Sequence, residues 1–166
     1  FPNKQNLNQK NGAIKYIAHR ENLGIHKGYK TRIRNDWFVV PSLKISDALF
    51  IRRNNLYPRL IINQANAYTT DTMHRVFVKK GTDINALTAS YYNSLSLAFT
   101  EVCGRSHGGG VLELMPNEAE RVLLPYHNDN AKLLSKIDRL IRDKTDIEEV
   151  LKITNQVILK EHFGLT

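Results

Sequence analysis

The sequence predicts an α+β fold: a mixed or antiparallel sheet of short strands, one long flanking helix and a C-terminal helical hairpin. Three observations carry this. Short apolar runs at 48–52, 59–63, 74–79 and 111–114 are bounded by turn-forming residues. Residues 84–102 place Leu87, Tyr91, Leu95, Ala98 and Val102 on one helical stripe. Beyond residue 126 the apolar spacing is helical throughout. A chain of 166 residues is long enough for one core with an appendage. We therefore divide it into an α/β core over 1–126 and a helical hairpin over 127–166 packed on it.

The elements follow in order. Residues 12–23 read as a short helix, with Ile14, Ile17 and Ala18 on one face and Gly24 closing it. A basic segment follows, in which Lys30, Arg32 and Arg34 alternate, so an extended chain would point all three to one side. Trp37-Phe38-Val39-Val40 reads as a buried strand stopped by Pro41. Residues 48–52 and 59–63 read as strands around a turn at 54–58, and 74–79 as another strand. Asp83 is placed to cap the helix over 84–102. That helix ends in Cys103-Gly104-Arg105-Ser106-His107-Gly108-Gly109-Gly110, a glycine-rich corner before the strand at 111–114. In the tail, Leu133, Leu134, Ile137, Leu140 and Ile141 form one amphipathic face. Val150, Leu151, Val157 and Ile158 form a second, which starts at Asp146 in a capping-box-like Asp146-Ile147-Glu148-Glu149.

Net charge is +8, unevenly spread. Residues 1–80 hold 15 Lys/Arg against 4 Asp/Glu, whereas 81–166 hold 9 against 12. A basic half points to a polyanion, most often nucleic acid, with the lysines and arginines gathered into an electropositive face. No apolar run is long enough to span a bilayer, so no membrane partner is expected. One cysteine, Cys103, cannot form an internal disulfide and fits a reducing, cytoplasmic location. The start, Phe1-Pro2-Asn3, lacks an initiator methionine, and the chain reads as part of something longer.

Several chemistries lack their residues. There is no G-x-G-x-x-G, no phosphate-binding G-x-x-x-x-G-K-[ST] and no G-x-S-x-G elbow. Gly104 to Gly110 lies between helix and strand, the reverse of a phosphate-cradling loop. No Cys/His cluster has zinc spacing, and no metal site is expected. The acids of the basic half, Glu21, Asp36, Asp47 and Asp71, form no nuclease-like cluster with a lysine. Cys103 with His107 reads as a thiol pair or as a small buried cysteine ending a helix. No catalytic residue is expected here: the pattern is that of a binder.

Binding residues divide by chemistry. Lysine and arginine on phosphates supply affinity, and side chains at base edges supply sequence choice. Lys27, Lys30, Arg32 and Arg34 are the phosphate candidates, with Lys79 and Lys80 as additions. Arg52, Arg53 and Asn55, at a strand end entering a turn, are the base-reading candidates, because arginine suits guanine and asparagine adenine. Asn66, with Tyr68, Thr69 and Thr70, forms a polar loop that reads either as a contact or as a capped turn. Arg105, Ser106 and His107 lie on the glycine corner, where Arg105 faces either a phosphate or Glu101 one turn back. Trp37 reads as a stacking platform or as core.

These blocks resemble the C-terminal target-recognition part of TaqI-like adenine-specific DNA methyltransferases of restriction-modification systems. The resemblance rests on Gly24-Ile25-His26-Lys27-Gly28-Tyr29-Lys30 with Trp37-Phe38-Val39-Val40-Pro41. It continues through Pro58-Arg59-Leu60-Ile61-Ile62-Asn63, Thr70-Asp71-Thr72-Met73-His74-Arg75-Val76 and Asn93-Ser94-Leu95. It ends with Glu101-Val102-Cys103-Gly104-Arg105, Gly108-Gly109-Gly110-Val111-Leu112 and Val122-Leu123-Leu124-Pro125. What it implies is a sequence-specific binder of double-stranded DNA, linked to an upstream methyltransferase domain of the same chain. That domain would hold S-adenosylmethionine and an Asn/Asp-Pro-Pro-aromatic motif; no Pro-Pro pair stands here. By this reading the segment holds no cofactor and is not itself catalytic, while its parent is a site-specific adenine methyltransferase. Two rivals remain: a nuclease fragment, and a protein-interaction module that docks a partner through residues 128–160.

Overall fold

The computed structural model describes residues 11–40 and 43–165, which form two compact units, 1–44 and 45–166. The boundary falls between Lys44 and Ile45, and residues 127–166 sit inside the second unit.

In the first unit, α1 spans Asn11–Asn22, and Gly24, at φ 74°, turns the chain into a short 3-10 stretch at Ile25–Lys27. The positive φ suits glycine, and the helix closes where the sequence places its stop. The basic segment is helical rather than extended: α2 spans Tyr29–Arg32. Thr31 explains this, since its hydroxyl reaches back to the carbonyls of Gly28 at 2.9 Å and Ile25 at 2.7 Å. Lys30 and Arg32 therefore leave the backbone about 200° apart, not side by side. Residues 37–40 form no strand but a turn, held by Arg34 Nη1 to the carbonyls of Trp37 and Val39, both at 3.4 Å. Pro41, expected to stop that strand, lies outside the described residues, as do residues 1–10.

The second unit carries the core. β1 (Ala48–Ile51) is central, with β3 (Leu60–Ile62) and β4 (Met73–Val76) antiparallel on either side. β4 ends at Val76, short of the expected Lys79, because Val78 N–H turns to the Asp47 carboxylate at 2.8 Å. After Arg52 the chain passes into a second sheet, in which β6 (Val111–Glu113) lies between β2 (Arg53–Asn54) and β5 (Arg105–His107), again antiparallel. The core gathers Ala48, Phe50, Leu60, Ala89, Tyr91, Tyr92 and Leu114 from sheet and helix, and Ile137 and Val150 from the tail. Burial pushes the phenols of Tyr91 and Tyr92 well above their ordinary value; their hydroxyls bond Thr100 and the Leu60 carbonyl.

The expected 84–102 helix is two helices: α3 (Ile84–Tyr91) and α4 (Ser94–Cys103). Asp83 caps α3 as expected, its carboxylate accepting from Asn85 N–H. Asn93 causes the break. It is fully buried, accepts from Ser96 N–H at 2.9 Å as the cap of α4, and donates to the Ser90 carbonyl at 2.6 Å. The apolar stripe ends with it: Tyr91 is buried, whereas Leu95 and Val102 are exposed.

α5 (Pro116–Ala119) leads to a 3-10 stretch at Asn128–Leu133, then α6 (Leu134–Arg142) and α7 (Ile147–Thr154), which continues as a π-helix over Asn155–His162. Asp146 caps α7 through Glu148 N–H. The tail is pinned by buried Asn130, which donates to Ser90 Oγ at 2.8 Å and accepts from His162 Nδ1 at 2.7 Å. Among the described residues no helix is long and apolar enough to cross a membrane.

Candidate nucleic-acid interface

The glycine corner folds as a β-hairpin. Gly109 and Gly110, at φ 78° and 74°, occupy left-handed backbone that lets β5 turn directly into β6. Gly104 serves differently: a Cβ there would stand 2.7 Å from Leu112 Cδ1 and 3.1 Å from the Thr100 carbonyl, so α4 and β6 approach closely because no side chain intervenes.

Register then assembles the candidate residues. Arg53, Glu113 and Arg105 are directly paired across β2, β6 and β5, and residues paired across antiparallel strands share a face. His107 is two residues from Arg105 and joins that face; Ser106, paired with Leu112, points the other way. Asn55 follows β2, and its Oδ1 lies 3.9 Å from where a Gly110 Cβ would be. Arg53, Arg105 and His107, drawn from two distant segments, thus share one face of this sheet, with Asn55 beside the glycine turn.

Glu113 organises this face. It is 8% exposed, and its Oε1 meets Arg53 Nε at 3.0 Å and Arg52 Nη2 at 2.9 Å, while Oε2 meets His107 Nε2 at 2.9 Å. Burial pushes its carboxyl up, but the Arg53 bond and the charges of Arg53, Arg52 and His107 outweigh that and hold it below its ordinary value. Arg105 does not pair with Glu101. Its Nε lies 2.6 Å from Glu118 Oε1, while Glu118 Oε2 accepts the Met115 N–H at the start of α5. That backbone bond, ahead of the Arg105 contact, holds the Glu118 carboxyl low.

The two arginines at β2 differ. The Arg53 side chain is 69% exposed; that of Arg52 is 23% exposed, with further contacts to Met115 Sδ and the Asp71 carbonyl. Arg52 is turned inward and its fork is largely occupied. Asn66 takes a positive φ of 50° in a loop closed by Asn63, whose side chain bonds Ala67 in both directions, so this loop is a capped turn. Lys79 and Lys80 are exposed at another turn. Cys103 is a half-buried free thiol, and the imidazole of His107 is engaged by Glu113.

Sequence reading missed Glu113 and Glu118. The available signal was an acid at an alternate position of the apolar strand Val111-Leu112-Glu113-Leu114: such a carboxylate needs cationic partners. Among the described residues no group of His, Cys, Asp and Glu could hold a metal ion.

In the first unit, Lys27, Arg32 and Arg34 line one cleft of about 520 Å³ with His26 and Trp37; Lys30 is not in its wall. Trp37 is half-buried, its Nε1 donating to Glu21 Oε1 at 2.8 Å and its ring meeting Phe38 edge-on.

A family model, described as type II methyltransferase M.Eco57I, C-terminal domain, matches residues 1–159. The chain belongs to this family. It is thus a methyltransferase C-terminal domain of restriction-modification type, and the expectation raised by its ordered sequence blocks holds at that level. No curated protein and no solved structure matches it.

Proposed function

We propose that this M.Eco57I-type C-terminal domain reads double-stranded DNA for an adenine-specific methyltransferase. Its catalytic domain, on another part of the same polypeptide, would bind S-adenosylmethionine. The observation that supports this most is the face around Glu113: Arg53, Arg105 and His107 share it, and Asn55 lies beside the glycine turn at its end. Arg53 is the base reader: its side chain is 69% exposed and its Nε meets the Glu113 carboxylate. Arg105 and Lys27, Arg32 and Arg34 supply phosphate contacts. The tail argues against the docking alternative, because Ile137, Val150 and Ile158 are buried within the unit's own fold.

The test is duplex binding by the chain across salt concentrations, with a selected target sequence. Affinity should fall by orders of magnitude between low and moderate salt. Arg53→Ala should relax preference at one base pair, by about 5- to 150-fold. Salt-insensitive binding, or an Arg53→Ala loss equal on every sequence, would overturn the proposal.

A further inference from the structure

The cleft of the first unit is more than a basic surface. Its wall combines three cations, Lys27, Arg32 and Arg34, with two aromatic rings, His26 and Trp37, and the amide of Asn35. Among the described residues none of the three has a carboxylate within ion-pair distance. The first unit concentrates this charge, with nine Lys/Arg against two Asp/Glu in residues 1–44. Arg34 is fixed by its bonds to the Trp37 and Val39 carbonyls, Thr31 by its bonds to Ile25 and Gly28, and Arg32 lies over the Tyr29 ring. Glu21 fixes the indole of Trp37 from its nitrogen edge. His26 carries a buried Nδ1 with no hydrogen-bond partner.

Cations beside aromatic rings in an open groove of about 520 Å³ match the chemistry of a phosphodiester joined to a base. A base stacked inside a duplex has no free face to offer an aromatic ring, whereas an unpaired one does. We propose that this cleft binds one unpaired nucleotide of a nucleic-acid strand, its phosphate on Lys27 and Arg32 and its base against Trp37 and His26. This rests on the proposed function in that DNA supplies the strand, and it deepens the role given there to Lys27 and Arg32: the groove whose cations meet phosphate also holds an unpaired base, whereas Arg53 reads a base within the stack.

Trp37 is the sole tryptophan, so its fluorescence reports this cleft alone. The chain is titrated at fixed salt with a four-nucleotide single strand, the same strand with abasic sugars, thymidine monophosphate, inorganic phosphate and a fully paired duplex. The base-bearing strand should quench Trp37 and bind about 5- to 150-fold more tightly than the abasic one, the range measured for stacking of one base. Arg32→Ala and, separately, Lys27→Ala should weaken both strands while leaving circular dichroism unchanged. Trp37→Phe should bind the base-bearing strand within a few-fold of the parent, followed by anisotropy of a labelled strand. Equal affinity for abasic and base-bearing strands, or binding without quenching, overturns the proposal. Equal affinity for phosphate or the mononucleotide overturns the assignment to a strand. Specific duplex binding without any single-strand quench overturns this inference alone; a quench with no duplex binding overturns the proposed function and leaves the cleft standing.

Discussion

Arg105 Nε lies 2.6 Å from Glu118 Oε1, an ion pair between the first residue of a strand and the third residue of a short helix, thirteen positions away. The same carboxylate holds the N–H of Met115, so one acid fixes the start of α5 and the stem of the hairpin together. Glu118→Ala should lower the melting temperature by a few degrees and loosen the Arg105 side chain. Glu101→Ala, at the acid one helical turn before Arg105, should leave both unchanged. Thermal unfolding of the two variants checks this; equal losses would return Arg105 to Glu101.

Glu113 and Glu118 give the fold an acid limit. Both carboxyls are held below their ordinary value of 4.5 in the folded chain. A group with a depressed folded pKa contributes stability that is complete above its unfolded value and is lost as pH falls through the folded one. Stability should therefore be level above about pH 5 and decline below 4.5. Glu113→Gln should flatten part of that decline, measured by denaturant unfolding from pH 3 to 7. A Gln variant with the parent's full acid slope would remove Glu113 as its source.

Arg52 and Arg53 are adjacent and bind the same oxygen, yet they should fail differently. Arg52→Ala takes away a partly buried partner and should cost about 1–3 kcal/mol of stability. Arg53→Ala removes a mostly exposed side chain and should barely move stability while relaxing base preference. Parallel melting curves and binding selections on both variants test the split; a stable Arg52→Ala protein with lost specificity would reverse the roles.

Asn93 is a cap with no substitute nearby. Asn93→Ala should cost about 1–3 kcal/mol, since it uncaps α4 and leaves the buried Ser90 carbonyl short of a donor. Urea unfolding checks this; a change below 0.5 kcal/mol would mean the break between α3 and α4 does not depend on the side chain.

The glycines of the corner are not equivalent. Gly104→Ala forces a Cβ against Leu112 and two backbone carbonyls and should destabilise by about 1–3 kcal/mol. Gly108→Ala meets open space and should be neutral. Calorimetry on the pair decides, and equal effects would mean the α4–β6 approach relaxes freely.

The strands at 48–52 and 59–63, the Asp83 and Asp146 caps and the glycine corner were legible because each rests on local chemistry: alternation, a capping oxygen or a positive φ. The 84–102 helix divides in the structure although its apolar spacing is continuous in the sequence, because Asn93 leaves the helix to cap α4 through Ser96 N–H and is buried in doing so. The basic segment was misread because charge alternation says nothing of Thr31, whose hydroxyl stabilises helical turns. At the candidate site, Arg53, Arg105 and His107 could be named from residue type. The meeting of Arg53 with His107 on Glu113 depends on strand register between β2 and β6, some sixty positions apart, and Arg105 turns instead to Glu118; one sequence displays neither.

That register also limits how the hairpin can vary in length. Adding one residue to β6 would exchange the two faces of the strand from that point, sending the carboxylate of Glu113 toward the side now occupied by Leu112 and the isobutyl group toward the arginines. Adding two would restore the order. Natural lengthening of this arm is therefore expected in pairs, or at the turn itself, where Gly108 and Gly109 have space around them.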